Sequence, residues 1–234
     1  MSDNWPRFTA ILHAILDGLA SGELALTLGS TFYRTLAGFA AGCVLGALFG
    51  VLLGCYRILD WAIRPFIEIE RALPSPAIIP PLSLLLGLDD ALKICMVMLA
   101  VFAPVFINTY AGVRGVNETF LMTARTLRLG RIETLRKIVL PAALPSLTAG
   151  MRIGLSLALV MAVISEMMSG SEGIGSYLMT MQYAMRADAM YAALICLAAA
   201  GYLLNRSFLY IERAVLRRHN VKTGDEVQLP RDSP

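Results

Sequence analysis

Nucleophilic or metal chemistry would need side chains that this sequence supplies sparsely. His13 and His219 are the only histidines and lie near opposite ends of the chain, too few for a histidine-rich metal site. Neither lies in a run long and apolar enough to span a membrane, where a buried serine nucleophile would need its base. Asp89 and Asp90 are adjacent, so their side chains diverge on a helix and do not form a carboxylate pair. Cys43, Cys55, Cys95 and Cys196 form no CxxC pair and read as thiols packed as small hydrophobes. The glycine-rich stretch SGSEGIG, Ser169 to Gly175, lacks the lysine of a GxxxxGK[ST] phosphate loop. It reads as a turn before a short re-entrant or surface helix. No catalytic and no metal-ligating set emerges. Two charges inside apolar sequence remain, Arg152 and Glu166. Arg152 has two readings: it snorkels toward a polar boundary, or it draws an anion into a path shared with Ser156 and Met161. Glu166 reads as holding its helix to the loop that follows.

The elements that carry these residues follow from composition. Of 234 residues, 57% are hydrophobic and 16% charged, and the mean hydropathy is +0.65. A water-soluble domain carries roughly 25% charge, so this chain has too little polar surface for one, and too much apolar sequence for disorder. A net charge of +3 gives no basis for nucleic-acid binding. Apolar runs at Thr35–Tyr56, Ala72–Leu88, Ile94–Val113, Pro141–Ser165 and Ala189–Asn205, the last continuing toward Ile211, are candidate membrane spans. The second is short and broken by Pro74, Pro76, Pro80 and Pro81. The expected fold is all-α: a polytopic transmembrane bundle of five core helices, with an N-terminal amphipathic helix within Trp5–Ala20. The expected divisions are an N-terminal surface segment 1–30, a membrane domain 31–212 and a tail 213–234.

Positive charge sets the sidedness. Arg57, Arg64 and Arg71 follow the first span. Arg114, Arg125, Arg128, Arg131, Arg136 and Lys137 follow the third, and Arg213, Arg217, Arg218 and Lys222 follow the fifth. These segments are expected in the cytoplasm, with the N-terminus and the loops at Asp89–Lys93 and Glu166–Asp188 outside. Gly38, Gly42, Gly46, Gly50 and Gly54 recur at every fourth position and predict a face on which another helix packs closely. Between Glu118 and Leu140, apolar residues fall at Phe120, Leu121, Ala124 and Leu127, then at Ile132, Leu135, Ile138 and Val139. That spacing predicts two short amphipathic helices, joined at Gly130, where glycine suits a change of direction. Pro141 is expected to end the segment, with Pro145 in the first turn of the next span.

In this loop the chain resembles the inner-membrane permease subunits of binding-protein-dependent ABC importers, closest to the nitrate, sulfonate and taurine type. The family signature reads Glu-Ala-Ala, three residues, Gly, nine residues, Ile-x-Leu-Pro. Ile138, Leu140, Pro141 and Ala124 match it without a gap, whereas Met122 and Thr123 replace Glu-Ala and Arg128 stands at the glycine. Gly130, two residues on, is expected to take over the turn, and Glu118, one turn earlier, offers a carboxylate. The stretches LPSPAIIPPLSLLLGLDDALKI, FINTYAGVRGV and ISEMMSGSEGIGSYL also match, in order. The resemblance implies the type I importer permease fold and a multi-pass position in the bacterial inner membrane. Loop 114–140 would carry the coupling helix that seats in a groove of a cytoplasmic ABC ATPase. Phe120, Leu121, Ala124, Leu127, Arg128, Gly130, Ile138, Leu140 and Pro141 would form that coupling site; the same apolar face packing on the chain's own spans is the other reading. The implied partners are the ATPase, an extracytoplasmic solute-binding protein, a second copy of the permease and membrane lipid. The chain itself is expected to hold no cofactor and not to be an enzyme, ATP being bound by the ATPase. The implied substrates are small solutes such as sulfonates or nitrate. Many members carry a further N-terminal span, and by the resemblance this chain starts after that place, which is expected to account for an outside N-terminus. A secondary transporter or channel without an ATPase is the alternative; it would normally show interrupted helices in both halves.

Overall fold

The computed structural model describes residues 6–56, 65, 68 and 74–224, with side chains to Ala214 and at Leu216. Trp5, Arg57, Arg64, Arg71 to Leu73 and residues 225–234 lie outside the described residues, as do the side chains of Arg217, Arg218, His219 and Lys222. The described elements are helical. α1 is Phe8–Ala20 and α2 is Glu23–Cys55. A 3₁₀ turn at Ser75–Ile78 leads into α3, Ile79–Leu86, and α4 is Asp90–Arg114. α5 is Glu118–Thr126, α6 spans Arg131–Ser169, α7 is Ile174–Tyr183 and α8 is Ala187–Gly224.

Four of these, α2, α4, α6 and α8, are long and apolar enough to cross a membrane. The second expected span differs. Its described part is the 3₁₀ turn with α3, Ser75–Leu86, which at 1.5–2 Å rise per residue reaches roughly 20 Å, short of a bilayer core of about 30 Å. Its prolines explain the break, since each lacks the N–H that a continuous helix would use. α2 also starts twelve residues before its apolar run, because Gly22 at φ +78° turns the chain out of α1 and nothing breaks the helix after it. Residues 23–30, expected in the surface segment, thus belong to the first spanning helix. α1 forms where the amphipathic helix is expected and lies against α8. Phe8, Leu12, Leu16 and Leu19 are exposed on it.

α4 is the centre of the bundle, packed between α2 and α6. Leu92, Met96, Val97, Val101 and Val105 on it are fully buried. The glycine strip of α2 faces it. A Cβ on Gly38, Gly42, Gly46, Gly50 or Gly54 would stand 2.5–2.9 Å from Val97, Val101, Val105, Thr109 or Val113, respectively. Glycines four apart on one helix thus meet β-branched residues four apart on the other. At Gly42 the obstacle includes the Met98 carbonyl at 2.7 Å, so the backbones themselves are in close approach.

α6 is continuous through Pro141. The five residues Leu135–Val139 form a π turn just ahead of the proline. Proline at 141 removes an N–H and crowds the carbonyl four residues back; a wider local turn relieves both. Pro141 therefore shapes the helix rather than ending it, and Pro145 lies inside it rather than in its first turn.

Candidate functional site

At one end of the bundle, α5 runs beneath the spans. Asn117 caps it by accepting a hydrogen bond from the Thr119 N–H at 2.9 Å, a role that Asn at this position fits and that the sequence reading gave to no residue. The expected single coupling face is divided. Ala124 is buried, and Leu121 packs on a cluster of Val113, Val116, Val139 and Ala143 with Leu135 and Ile138. Phe120 is 57% exposed and Leu127 66%. Part of the face therefore holds the helix to its own spans, and the remainder is free of them. Met122 and Ile132 are exposed beside it, and Leu140 is partly so.

The turn after α5 corrects the expectation about glycine. Arg128 takes φ +54°, while Gly130 has φ −66° and ψ 162°, an extended conformation open to any residue. The Leu129 N–H bonds to the Ala124 carbonyl and the Arg128 N–H to the Arg125 carbonyl, both at 3.0 Å. This is the Schellman pairing, in which the left-handed residue is usually glycine. Arg128 keeps the turn at the family's glycine position and accepts a strain of about 1 kcal/mol. Gly130 instead precedes the next helical turn, where the Glu133 carboxylate accepts from its N–H at 3.4 Å and pairs with Lys137 at 3.0 Å.

The opposite end holds a charge cluster. Glu166 is fully buried. It accepts from Arg34 Nη1 at 2.9 Å, Thr31 Oγ1 at 2.8 Å and the Gly175 N–H at 3.1 Å. Arg34, 2% exposed, also bonds Asp90 Oδ1 at 2.8 Å and the Glu172 carbonyl at 2.6 Å. Lys93 Nζ reaches the same carbonyl at 3.1 Å. The cluster ties α2, α4 and α6 to the α6–α7 loop, and Glu166 holds its helix to that loop as expected. It also explains the glycine-rich stretch. A side chain on Gly173, at φ +130°, would collide with the Glu166 carboxylate, and one on Gly175 with the Val163 carbonyl. These glycines wrap a buried carboxylate, not a phosphate. The loops at Leu88 and Ser171, expected on one side, meet there through the Ser171 hydroxyl and the Leu88 carbonyl at 3.3 Å.

The proposed path residues separate. Arg152 is half-exposed and pairs with the buried Glu212 of α8, its Nε donating at 3.1 Å. Ser156, one turn on, lines a cavity of about 270 Å³ between α6 and α8 with Leu155, Leu159, Gly201, Tyr202 and Asn205. Met161 is not on this side. Five residues turn a helix by about 140° from Ser156, and Met161 is buried in the core with Met96 and Val97. Among the described residues, no group of three His, Cys, Asp or Glu side chains could hold a metal ion.

A family model described as binding-protein-dependent transport system inner membrane component matches residues 42–218, which include loop 114–140 and most of the bundle. The chain belongs to this family. It is 32% identical over 219 residues to an aliphatic sulfonates transport permease protein, SsuC, of Bacillus subtilis, covering 94% of this chain and 79% of that one. It is 35% identical over 198 residues to SsuC of Escherichia coli, covering 85% and 75%. The taurine transport system permease protein TauC of Escherichia coli is 29% identical over 155 residues, 66% of this chain and 56% of that one. A solved amino acid ABC transporter chain superposes with TM-score 0.66 at 19% identity, covering 87% of this chain and 98% of that one. A chain of the MetNI methionine ABC transporter in an inward-facing conformation gives 0.62 at 22%, covering 92% and 99%. Those likenesses establish the type I importer permease fold. The protein is a multi-pass membrane permease subunit of an ABC importer.

Proposed function

We propose that this permease carries small sulfonated organic anions inward as half of a homodimer in a bacterial inner membrane. Two copies of a separate ATPase bind and hydrolyse the ATP, and a soluble binding protein delivers the solute from outside. The observation that carries the substrate is the similarity, over 94% of the chain, to a permease named for aliphatic sulfonates. Two-fold pairing is the common symmetry of such assemblies. For coupling, α5 offers exposed Phe120 and Leu127 to a groove in the way of an amphipathic helix. Leu121 and Ala124 transmit its displacement to the spans they touch, and Ile138, Leu140 and Pro141 lead into α6. ATP-driven approach of the ATPases then tilts the packed spans as rigid bodies between inward- and outward-facing states. The chain contributes no cofactor.

Arg152 serves this reading as a structural cation, since Glu212 already neutralises it. Ser156 remains a candidate for the solute path.

The test is purification of the tagged chain in mild detergent from its native membrane, followed by uptake in proteoliposomes. The expected result is an ATPase in equal number with the permease, and ATP-dependent uptake of an aliphatic sulfonate once the binding protein is added. Recovery without any ATPase, from cells that express one, would overturn the assembly. Uptake competed by nitrate but not by sulfonates would overturn the substrate.

A further inference from the structure

α8 carries a cation that its spanning character does not call for. Arg206 lies in a helix apolar and long enough to cross a membrane. It is exposed and has no carboxylate partner among the described residues. Its guanidinium lies 5.4 Å from the centre of the Tyr210 ring, one turn further along, which draws it toward the Arg213 end of the helix. The arginines and lysines cluster at that end of the bundle, which marks it as the cytoplasmic side. From Ala187 to Arg206 the helix rises about 28 Å, close to the far boundary of a hydrocarbon core of about 30 Å. Arg152 lies about 26 Å from Ser169, the outer end of α6, so the two guanidiniums share a level. Glu212 answers the charge of Arg152. Arg206 is left to be answered from outside the chain.

The cavity of about 270 Å³ between α6 and α8 begins at this level and runs inward. Ser156 and Asn205 on its wall are exposed and offer a hydroxyl and an amide as donors. Leu155, Leu159 and Leu204 make the wall apolar. At its deep end a Cβ on Gly201 would stand 2.7 Å from Leu159 Cδ2, so the helices close there. Exposed Tyr202, Leu203, Tyr210 and Ile211 flank the opening, a surface of the kind that faces lipid, with its aromatic residues near the boundary. From the cytoplasm inward the order is cation, polar donors, apolar wall. An anionic phospholipid has the matching order of phosphate, ester carbonyls and acyl chain.

We propose that the cleft between α6 and α8 binds an anionic phospholipid of the cytoplasmic leaflet. Arg206 meets the phosphate, Ser156 and Asn205 donate to the ester carbonyls, and one acyl chain lies on Leu155, Leu159 and Leu204. Charge complementarity selects the anionic class, because a zwitterionic headgroup brings its own cation. The proposal needs only the membrane position of the chain and is independent of the sulfonate reading.

The test is native mass spectrometry of the full-length permease in mild detergent, titrated with dioleoylphosphatidylglycerol or, with the same acyl chains, dioleoylphosphatidylcholine. The parent is expected to retain the glycerol lipid at several-fold lower concentration than the choline lipid. Arg206→Gln is expected to weaken binding of the glycerol lipid about five-fold and leave the choline lipid unchanged. Asn205→Leu is expected to weaken both. An equal melting temperature of Arg206→Gln and the parent in phosphatidylcholine excludes misfolding as the cause. Equal retention of the two lipids by the parent, or no change in Arg206→Gln, would overturn the proposal. So would displacement of the bound lipid by hexanesulfonate, which would give the cleft to the solute path. A photoreactive benzoylphenylalanine in place of Tyr202, irradiated in native membranes, is expected to label phospholipid. A cross-link to a second copy of the chain instead would show that a protein interface covers the cleft, and would also overturn the proposal.

Discussion

Arg128 and Gly130 exchange the roles that their residue types suggest. The left-handed position is fixed by the two hydrogen bonds that close α5, so it stays where the helix ends, whatever residue stands there. Arg128→Gly is expected to leave thermal stability unchanged or raise it by no more than about 1 kcal/mol. Gly130→Ala is expected to stay within about 0.5 kcal/mol of the parent, because its φ is ordinary and its Cβ direction is open. Denaturation of the two variants in one detergent checks both, and a larger loss from Gly130→Ala than from Arg128→Gly would contradict this account. Arg152 belongs to the same scale. Its partner Glu212 is buried while Arg152 is half in solvent. A double-mutant cycle between Arg152→Ala and Glu212→Gln is therefore expected to give a coupling of only about 1 kcal/mol. A coupling near zero, together with lost uptake in Arg152→Ala alone, would return Arg152 to the solute path.

Among the elements, the α2–α4 contact is the tightest constraint. Gly42→Ala would drive a methyl into the Met98 carbonyl and the Val101 side chain. Backbone cannot rotate away as a long side chain can, so a loss of about 1–3 kcal/mol is expected. Gly29→Ala, on the same helix with open space at its Cβ, is the control and is expected to be neutral or slightly stabilising. Comparing the two by melting temperature separates packing from helix propensity. The π turn before Pro141 is the other feature at this scale. It keeps Arg131–Ser169 one continuous helix, so the residues just after the α5 turn run into the long apolar stretch without a break.

The whole molecule is held at its two ends by different means. At the α5 end, contacts are apolar and partial, leaving Phe120 and Leu127 exposed. At the other end, Arg34, Glu166, Lys93, Asp90 and Thr31 join three helices and a loop through buried hydrogen bonds. Glu166→Ala would leave Arg34 buried with half its charge balance removed. A loss of about 3–5 kcal/mol is expected, seen as a fall in folded yield and melting temperature. The paired replacement Arg34→Met with Glu166→Leu is expected to recover part of it, because the buried Arg34–Glu166 pair is removed together, although Asp90 and Lys93 keep their charges. Failure of the paired variant to exceed Glu166→Ala in stability would mean that the cluster's hydrogen bonds to Thr31 and Glu172, not its charge balance, hold this end.

Sequence alone determined the spanning character, the glycine face of α2 and the position of the short helix α5, because each depends on periodicity or composition within one stretch of chain. The loop that holds α5 also carried the family resemblance, together with stretches around α3, α4 and the end of α6. Tertiary structure alone decided which charges meet. Arg34 reads as the boundary of an apolar run, yet its partner lies 132 residues away, and Arg152 finds Glu212 across 60. Local pattern says which residues are apolar, but a buried charge is tolerated only where folding brings its counter-charge, and that is a property of the packed bundle. The division of α5 into a held half and a free half has the same origin, since the foot of α4 and the start of α6 cover Leu121, Ala124 is buried, and Phe120 and Leu127 stay in the open.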